Sequence, residues 1–226
     1  MRRRTWIASI TIALLLGPGL LGSSPSFTHQ QSLALSGWLL GRQFGSSVAI
    51  SGDTVVVGAL DYYWHFCVPL ILSDPCDYLD FGSWQPDRGS AYVFVRSNGA
   101  WTQQQKLMAS DGWQRDGFGT SVAIQGDRIV VGAPGLNAAQ GAAYVFSRRG
   151  SAWSEQQKLT ARNGAYYDRF GTSVAIGDET IVVGAPGTDD GQLMDTGSVF
   201  VFENSGGSWS PQEIVNAPRG AGGPFG

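Results

Sequence analysis

Histidine, cysteine and charge are all scarce in this chain. Two histidines and two cysteines occur in 226 residues, and Asp, Glu, Lys and Arg together make up 15% of it. His29 and His65 stand beside no serine motif and no glycine-rich phosphate loop, so the usual parts of a nucleophilic or nucleotide-handling site are missing. The sequence also lacks any surplus of positive charge. Its formal charge is −3, and nothing basic gathers to hold nucleic acid or an anionic membrane. No stretch of helical period and useful length follows residue 30, which argues against an α-helical body.

What is present begins with a distinct leader. Arg2, Arg3 and Arg4 precede an apolar run from Trp6 to Leu21, and Gly22-Ser23-Ser24-Pro25-Ser26 follows. This order of basic, apolar and small residues reads as a secretory signal peptide over residues 1–26, with cleavage after Ser26. Gly17-Pro18-Gly19 interrupts the run and disfavours the alternative, a retained membrane anchor. Arg3-Arg4 is a faint match to a twin-arginine signal, and no cysteine directly follows the run to mark a lipoprotein. Without the leader arginines the formal charge becomes about −6. Export makes the expected location secreted, periplasmic or cell-surface.

Glycine is abundant, at 32 residues, and hydrophobic residues reach 42%, a composition suited to short strands around a substantial core. An internal repeat orders this material. Phe44-Gly45, Phe118-Gly119 and Phe170-Gly171 each precede a Ser-Val-Ala-Ile run, and 14 residues after each Phe stands Gly58, Gly132 or Gly184, followed by alanine. An aromatic strand comes next: Ala91 to Phe94, Ala143 to Phe146, Val199 to Phe202. Seven residues after its last Phe lies Trp101, Trp153 or Trp209. A fourth segment closes each unit, as Gln104-Gln105-Lys106-Leu107, Gln156-Gln157-Lys158-Leu159 and the degenerate Pro211-Gln212-Glu213-Ile214. From Leu107, Leu159 and Ile214 the next Phe-Gly is 11 residues away, so Phe225-Gly226 reads as the opening of another unit. Gln30-Gln31-Ser32-Leu33 stands 11 residues before Phe44 and reads as the last strand of a repeat whose first three strands are absent.

Four short antiparallel strands in a unit of about 50 residues describe a propeller blade. A two-sheet sandwich is the structural alternative, although it has no need of identical units. The second run of each unit is apolar at both alternating sets of positions, and so belongs inside the sheet. The Trp-bearing fourth strand is polar enough for an outer edge. The expected divisions are a closing strand and connector at 27–43, blades at 44–117, 118–169 and 170–224, and a truncated start at 225–226. The first blade carries an insertion over residues 60–88.

Phe118-Gly119 with Gly132-Ala133-Pro134, and its two companions, resembles the FG-GAP repeat of α-integrin-type β-propellers, in the variant of bacterial secreted proteins. In the first copy Leu60 replaces the proline. The resemblance implies an all-β ring of seven blades, with an N-terminal strand closing the last one. Three blades are too few to close a ring, so further blades are expected from the rest of a longer chain or from another chain. Integrin-type repeats often hold calcium between their first two strands, but here that link is only Ser51-Gly52-Asp53-Thr54 or its equivalents, too short for the alternating aspartates. No cofactor is expected. Asp189, Asp190 and Asp195 in a longer loop are the weak candidates for a cation, against the plainer reading of solvated carboxylates.

Cys67 and Cys76 in the insertion are placed by export in an oxidising compartment and read as a disulfide. Asp77 and Asp80 are the one carboxylate pair there that resembles an acid and a base. In a blade with up-and-down strands, the link between strands two and three leaves on the same face as the link between blades. That face would carry Trp38, Trp64, Trp113, Tyr166 and Tyr167 as ligand contacts, or else these rings pack between blades. Trp101, Trp153 and Trp209 recur in every unit and read as scaffold. The expected function is non-catalytic binding of an extracellular protein or glycan. The alternative is the scaffold of a secreted hydrolase or lyase whose catalytic residues lie elsewhere.

Overall fold

A computed structural model of the chain describes residues 10–11, 31–33, 42–61, 88–113, 116–135, 140–189 and 194–216. β-Branched residues stand close together in short runs separated by glycine-bearing turns, and the described residues form strands and turns without a helix. In chain order the strands are β1 (Ile10–Thr11), β2 (Ser32–Leu33), β3 (Arg42–Ser51), β4 (Thr54–Asp61), β5 (Ser90–Ser97), β6 (Ala100–Leu107), β7 (Ser121–Gln125), β8 (Arg128–Ala133), β9 (Ala142–Arg149), β10 (Ala152–Leu159), β11 (Ser173–Ile176), β12 (Thr180–Ala185), β13 (Ser198–Ser205) and β14 (Ser208–Asn216).

Three four-stranded antiparallel sheets result, β3-β4-β5-β6, β7-β8-β9-β10 and β11-β12-β13-β14, each in sequence order. β7 lies against β3 on one side and β11 on the other, as the first strands of neighbouring propeller blades do. The second strands of the first two blades are covered on both faces, with Val55, Val56 and Val57 of β4 and Ile129, Val130 and Val131 of β8 buried. Between the first two blades Val56, Val93 and Leu107 meet Phe118, Tyr144 and Phe146. Between the second and third, Val130, Val145 and Leu159 meet Phe170, Phe200 and Phe202. Each Phe of a Phe-Gly pair stands tilted or edge-on to two rings of its own blade, as Phe118 does to Tyr144 at 5.5 Å and Phe146 at 6.0 Å. Such a pair contributes about 0.5–1.5 kcal/mol beyond the area it buries.

The repeated glycines mark where one blade's backbone lies on the next. Gly119 donates its N–H to the Gly132 carbonyl of its own blade at 3.0 Å, while Phe118 donates to the Arg88 carbonyl of the preceding blade at 3.2 Å. The Gly119 carbonyl in turn accepts the Ser47 hydroxyl at 2.8 Å. A Cβ on Gly58 would stand 2.1 Å from that carbonyl oxygen, and one on Gly132 would stand 2.0 Å from the carbonyl oxygen of Gly171. The spacing of Phe-Gly and Gly-Ala is therefore the geometry of a junction between blades, with glycine required by close approach.

A second junction lies at the rim. Gln105 reaches across to Trp153, donating to its carbonyl at 2.7 Å and accepting its N–H at 2.8 Å. Gln157 does the same for Trp209, and Gln31 for Trp101. Each clasp satisfies a backbone N–H and C=O left over at a strand edge. The Gln31 clasp places Ser32–Leu33 as the outer strand before the first blade, in the register read from the sequence.

One pairing was not foreseen, and one expected register is corrected. Opposite Ser32–Leu33 lies β1, paired as Ile10 with Leu33 and Thr11 with Ser32, which matches Ala91 with Leu107 and Tyr92 with Lys106. Residues 10–11 thus pair with this outer strand at the register that a third strand has in the first blade. In the third blade the bulge falls at Gln212, as it does at Gln104 and Gln156. Counting on from it, Val215 and not Ile214 occupies the place of Leu107, so the step to Phe225 is 10 residues. Glu213 takes the place of the clasping glutamines, and an ionised carboxylate accepts a hydrogen bond but donates none.

Candidate functional site

The link between strands two and three and the link between blades leave on one face, and a repeated aspartate joins them, its carboxylate holding the inter-blade turn and its backbone carbonyl reaching the other link. The second and third units read Asp116-Gly117-Phe118-Gly119 and Asp168-Arg169-Phe170-Gly171. Asp116 Oδ2 accepts the Trp113 N–H at 2.5 Å, and its backbone carbonyl accepts the Gly135 N–H at 2.8 Å. Asp168 Oδ2 accepts the Ala165 N–H at 2.7 Å, and its carbonyl accepts from Gly187 at 3.1 Å. In each case the Asp closes a four-residue turn, its side chain accepting from the backbone N–H three residues before it. Gly187 is confined by this arrangement, because a Cβ there would come within 2.0 Å of the Tyr167 carbonyl oxygen.

These turns fix the aromatic residues. Trp113 is 76% exposed, Tyr166 74% and Tyr167 61%. Among the described residues these three rings thus stand in solvent, whereas Trp101, Trp153 and Trp209 are buried. Tyr167 has φ of 75° and Arg169 φ of 56°, left-handed conformations that cost a side-chain-bearing residue about 1–2 kcal/mol each. The Asp168 turn between them holds this backbone in place.

Beside Tyr166 the same loops enclose a cleft of about 420 Å³, lined also by Asp116, Gln140, Lys158, Thr160 and Tyr144. Its floor is a polar network. The Tyr144 hydroxyl donates to Asp111 Oδ1 at 2.8 Å, and Lys158 Nζ lies 2.7 Å from Asp111 Oδ2 and over the Tyr144 ring. The Lys158 hydrogen bond is the main cause that holds the Asp111 carboxyl below its ordinary range, while burial first, and then Asp111, push the Tyr144 hydroxyl up. Asp168 moves the other way: burial raises its pKa, the Ala165 N–H works against that, and neighbouring Asp189 adds to it. In the third blade Phe200 pairs with Ile214 where Tyr144 pairs with Lys158, so this floor does not repeat there.

Asp189 accepts the Asp195 N–H at 2.9 Å within a turn where Asp195 has φ of 54°. Among the described residues no group of three or more His, Cys, Asp or Glu side chains is placed to hold a metal. Trp38, Trp64, Cys67, Cys76, Asp77, Asp80, Asp190 and Phe225-Gly226 lie outside the described residues. Sequence reasoning missed the turn-holding Asp116 and Asp168 with their partners Gly135 and Gly187. The signal was available as Asp-x-Phe-Gly and Gly-Ala-Pro-Gly, but only two copies carry it, since the first unit reads Arg42-Gln43-Phe44-Gly45 and Gly58-Ala59-Leu60-Asp61.

Among solved structures, Saccharomyces cerevisiae Sqt1 is similar at a TM-score of 0.42 and 11% sequence identity, over 76% of this chain and 36% of that one. A family model described as FG-GAP repeat matches residues 27–62, 101–146 and 153–202. These segments take in more than half of the chain and reach into each of the three blades, and the chain belongs to the FG-GAP repeat family.

Proposed function

We propose that the chain is an exported, non-catalytic propeller segment that binds an extracellular protein or glycan through its loop-bearing face. The observation that carries this reading is the exposure of Trp113, Tyr166 and Tyr167 on turns anchored by Asp116 and Asp168. Large rings held in solvent on a fixed backbone offer contact area at little further cost in ordering. A binding role is favoured over a catalytic one because Asp111, Tyr144 and Asp168, the groups with displaced pKa, are each tied into hydrogen bonds that hold loops. The leader composition favours export. Further blades, from a longer chain or another chain, are the expected partners of the third blade's outer face.

Replacement of Trp113 and of Tyr167 by alanine tests this directly. Each is expected to weaken binding to an immobilised extracellular protein or glycan about tenfold or more, a loss of about 1.4 kcal/mol. Both variants should melt with the parent. Unchanged affinity in both would remove the loop-bearing face from the interaction.

A further inference from the structure

We infer that the cleft beside Tyr166 is a subsite for a neutral saccharide, a reading that rests on the loop-bearing face being the binding face. A sugar ring has an apolar face and a rim of vicinal hydroxyls that donate and accept together, and a site for it needs matching groups at fixed positions. Tyr166 supplies an exposed ring as the apolar wall. Asp116 supplies a carboxylate already oriented by the Trp113 N–H, Gln140 both a donor and an acceptor, and Thr160 a hydroxyl. Lys158 adds a donor whose charge is balanced by Asp111 at 2.7 Å.

Charge separates this ligand class from others. With Lys158 neutralised by Asp111, the remaining charge in the cleft is the Asp116 carboxylate, which repels phosphate, nucleotide and acidic sugar alike. The volume of about 420 Å³ lies near the lower end of the range of about 300–1,000 Å³ for small-molecule sites and suits a ligand of one or two rings. The aromatic wall of the cleft also breaks the repeat. Tyr166 falls opposite Gln114 when the connectors are aligned on Asp116 and Asp168, whereas the Tyr144–Lys158 pair of the floor recurs in the first blade as Tyr92–Lys106. A ring that served only the scaffold would recur as that pair does.

The test is an array of neutral and amino-sugar oligosaccharides probed with the full chain, followed by calorimetric titration with each oligosaccharide retained. Tyr166→Ala is expected to reduce affinity at least tenfold and Gln140→Ala several-fold, while Tyr166→Phe, which keeps the ring, stays near the parent. Both side chains are exposed, so parental melting temperatures are expected. If either alanine variant melts early, Tyr166→Ser and Gln140→Glu take its place. Saccharide binding that survives in both alanine variants overturns the cleft assignment and leaves the loop-bearing face standing. So does an empty array from a chain that still binds an extracellular protein through Trp113 and Tyr167. A chain that binds neither saccharide nor protein removes both readings.

Discussion

A single carboxylate illustrates how this protein trades local cost for geometry. Asp168 is buried and its pKa is raised, first by burial, so its charged form is disfavoured in the folded state. A raised carboxyl pKa stabilises the fold below the unfolded-state value, and that stabilisation is lost as pH rises through the folded value. Its Oδ2 nevertheless satisfies the Ala165 N–H and fixes the turn that presents Tyr166 and Tyr167. Asp168→Asn keeps an acceptor and removes the charge. It should melt with the parent at low pH and above it at neutral pH. Asp168→Ala leaves the Ala165 N–H without that partner and should cost about 1–3 kcal/mol by denaturant titration. Equal melting of Asp168→Asn and the parent across the whole pH range would remove burial of the charge as a cost.

At the scale of strands and their junctions, the glycines of the repeat fall into two groups. Gly126 has φ of 55° with nothing near its missing Cβ, whereas a Cβ on Gly132 would sit 2.0 Å from the Gly171 carbonyl oxygen. Gly126→Ala is therefore expected to cost about 1–2 kcal/mol, the left-handed penalty alone. Gly132→Ala must separate the second and third blades, exposing the core around Phe170, and is expected to cost more than about 3 kcal/mol or prevent folding. Comparable melting temperatures for the two variants would contradict the close approach. Sequence spacing located Gly58, Gly132 and Gly184 as equivalent, because identical runs surround them. It did not reveal that the preceding blade's Gly-Ala meets the next blade's Phe-Gly, since that contact joins residues such as Gly58 and Gly119 from different units.

Viewed as a whole, the molecule is a stack of blades whose last outer face is uncovered among the described residues. Val56 and Val93 in the first blade, and Val130 and Val145 in the second, are fully buried by the following blade. Their counterparts Val182 and Val201 are only half-buried, and Val215 is 39% exposed where Leu107 and Leu159 are 2%. An apolar face of this kind promotes association. Sedimentation velocity of the full chain should therefore show concentration-dependent self-association, which Val201→Lys abolishes without lowering the melting temperature. Association that persists in that variant would point to a different surface.

The sequence by itself determined the unit, its four strands, which strand is buried on both faces, and which tryptophans are scaffold, because these follow from local pattern copied three times. Ser32–Leu33 could be placed because Gln31 repeats the spacing of Gln105 and Gln157, and the structure gives it the same clasp. The register at Glu213-Ile214-Val215 was misread by one residue, because Pro211-Gln212 was matched to the Gln-Gln pair of the other units, although Val215 stands six residues after Trp209 as Leu107 does after Trp101 and the bulge recurs at the same place. Only the tertiary structure decided which aromatics stand in solvent and which carboxylates hold turns. Exposure of Tyr166 and burial of Asp168 depend on where neighbouring loops meet in space. The Phe-Gly spacing tells where a blade starts, whereas the cleft beside Tyr166 exists only once two blades and three separate loops have been brought together.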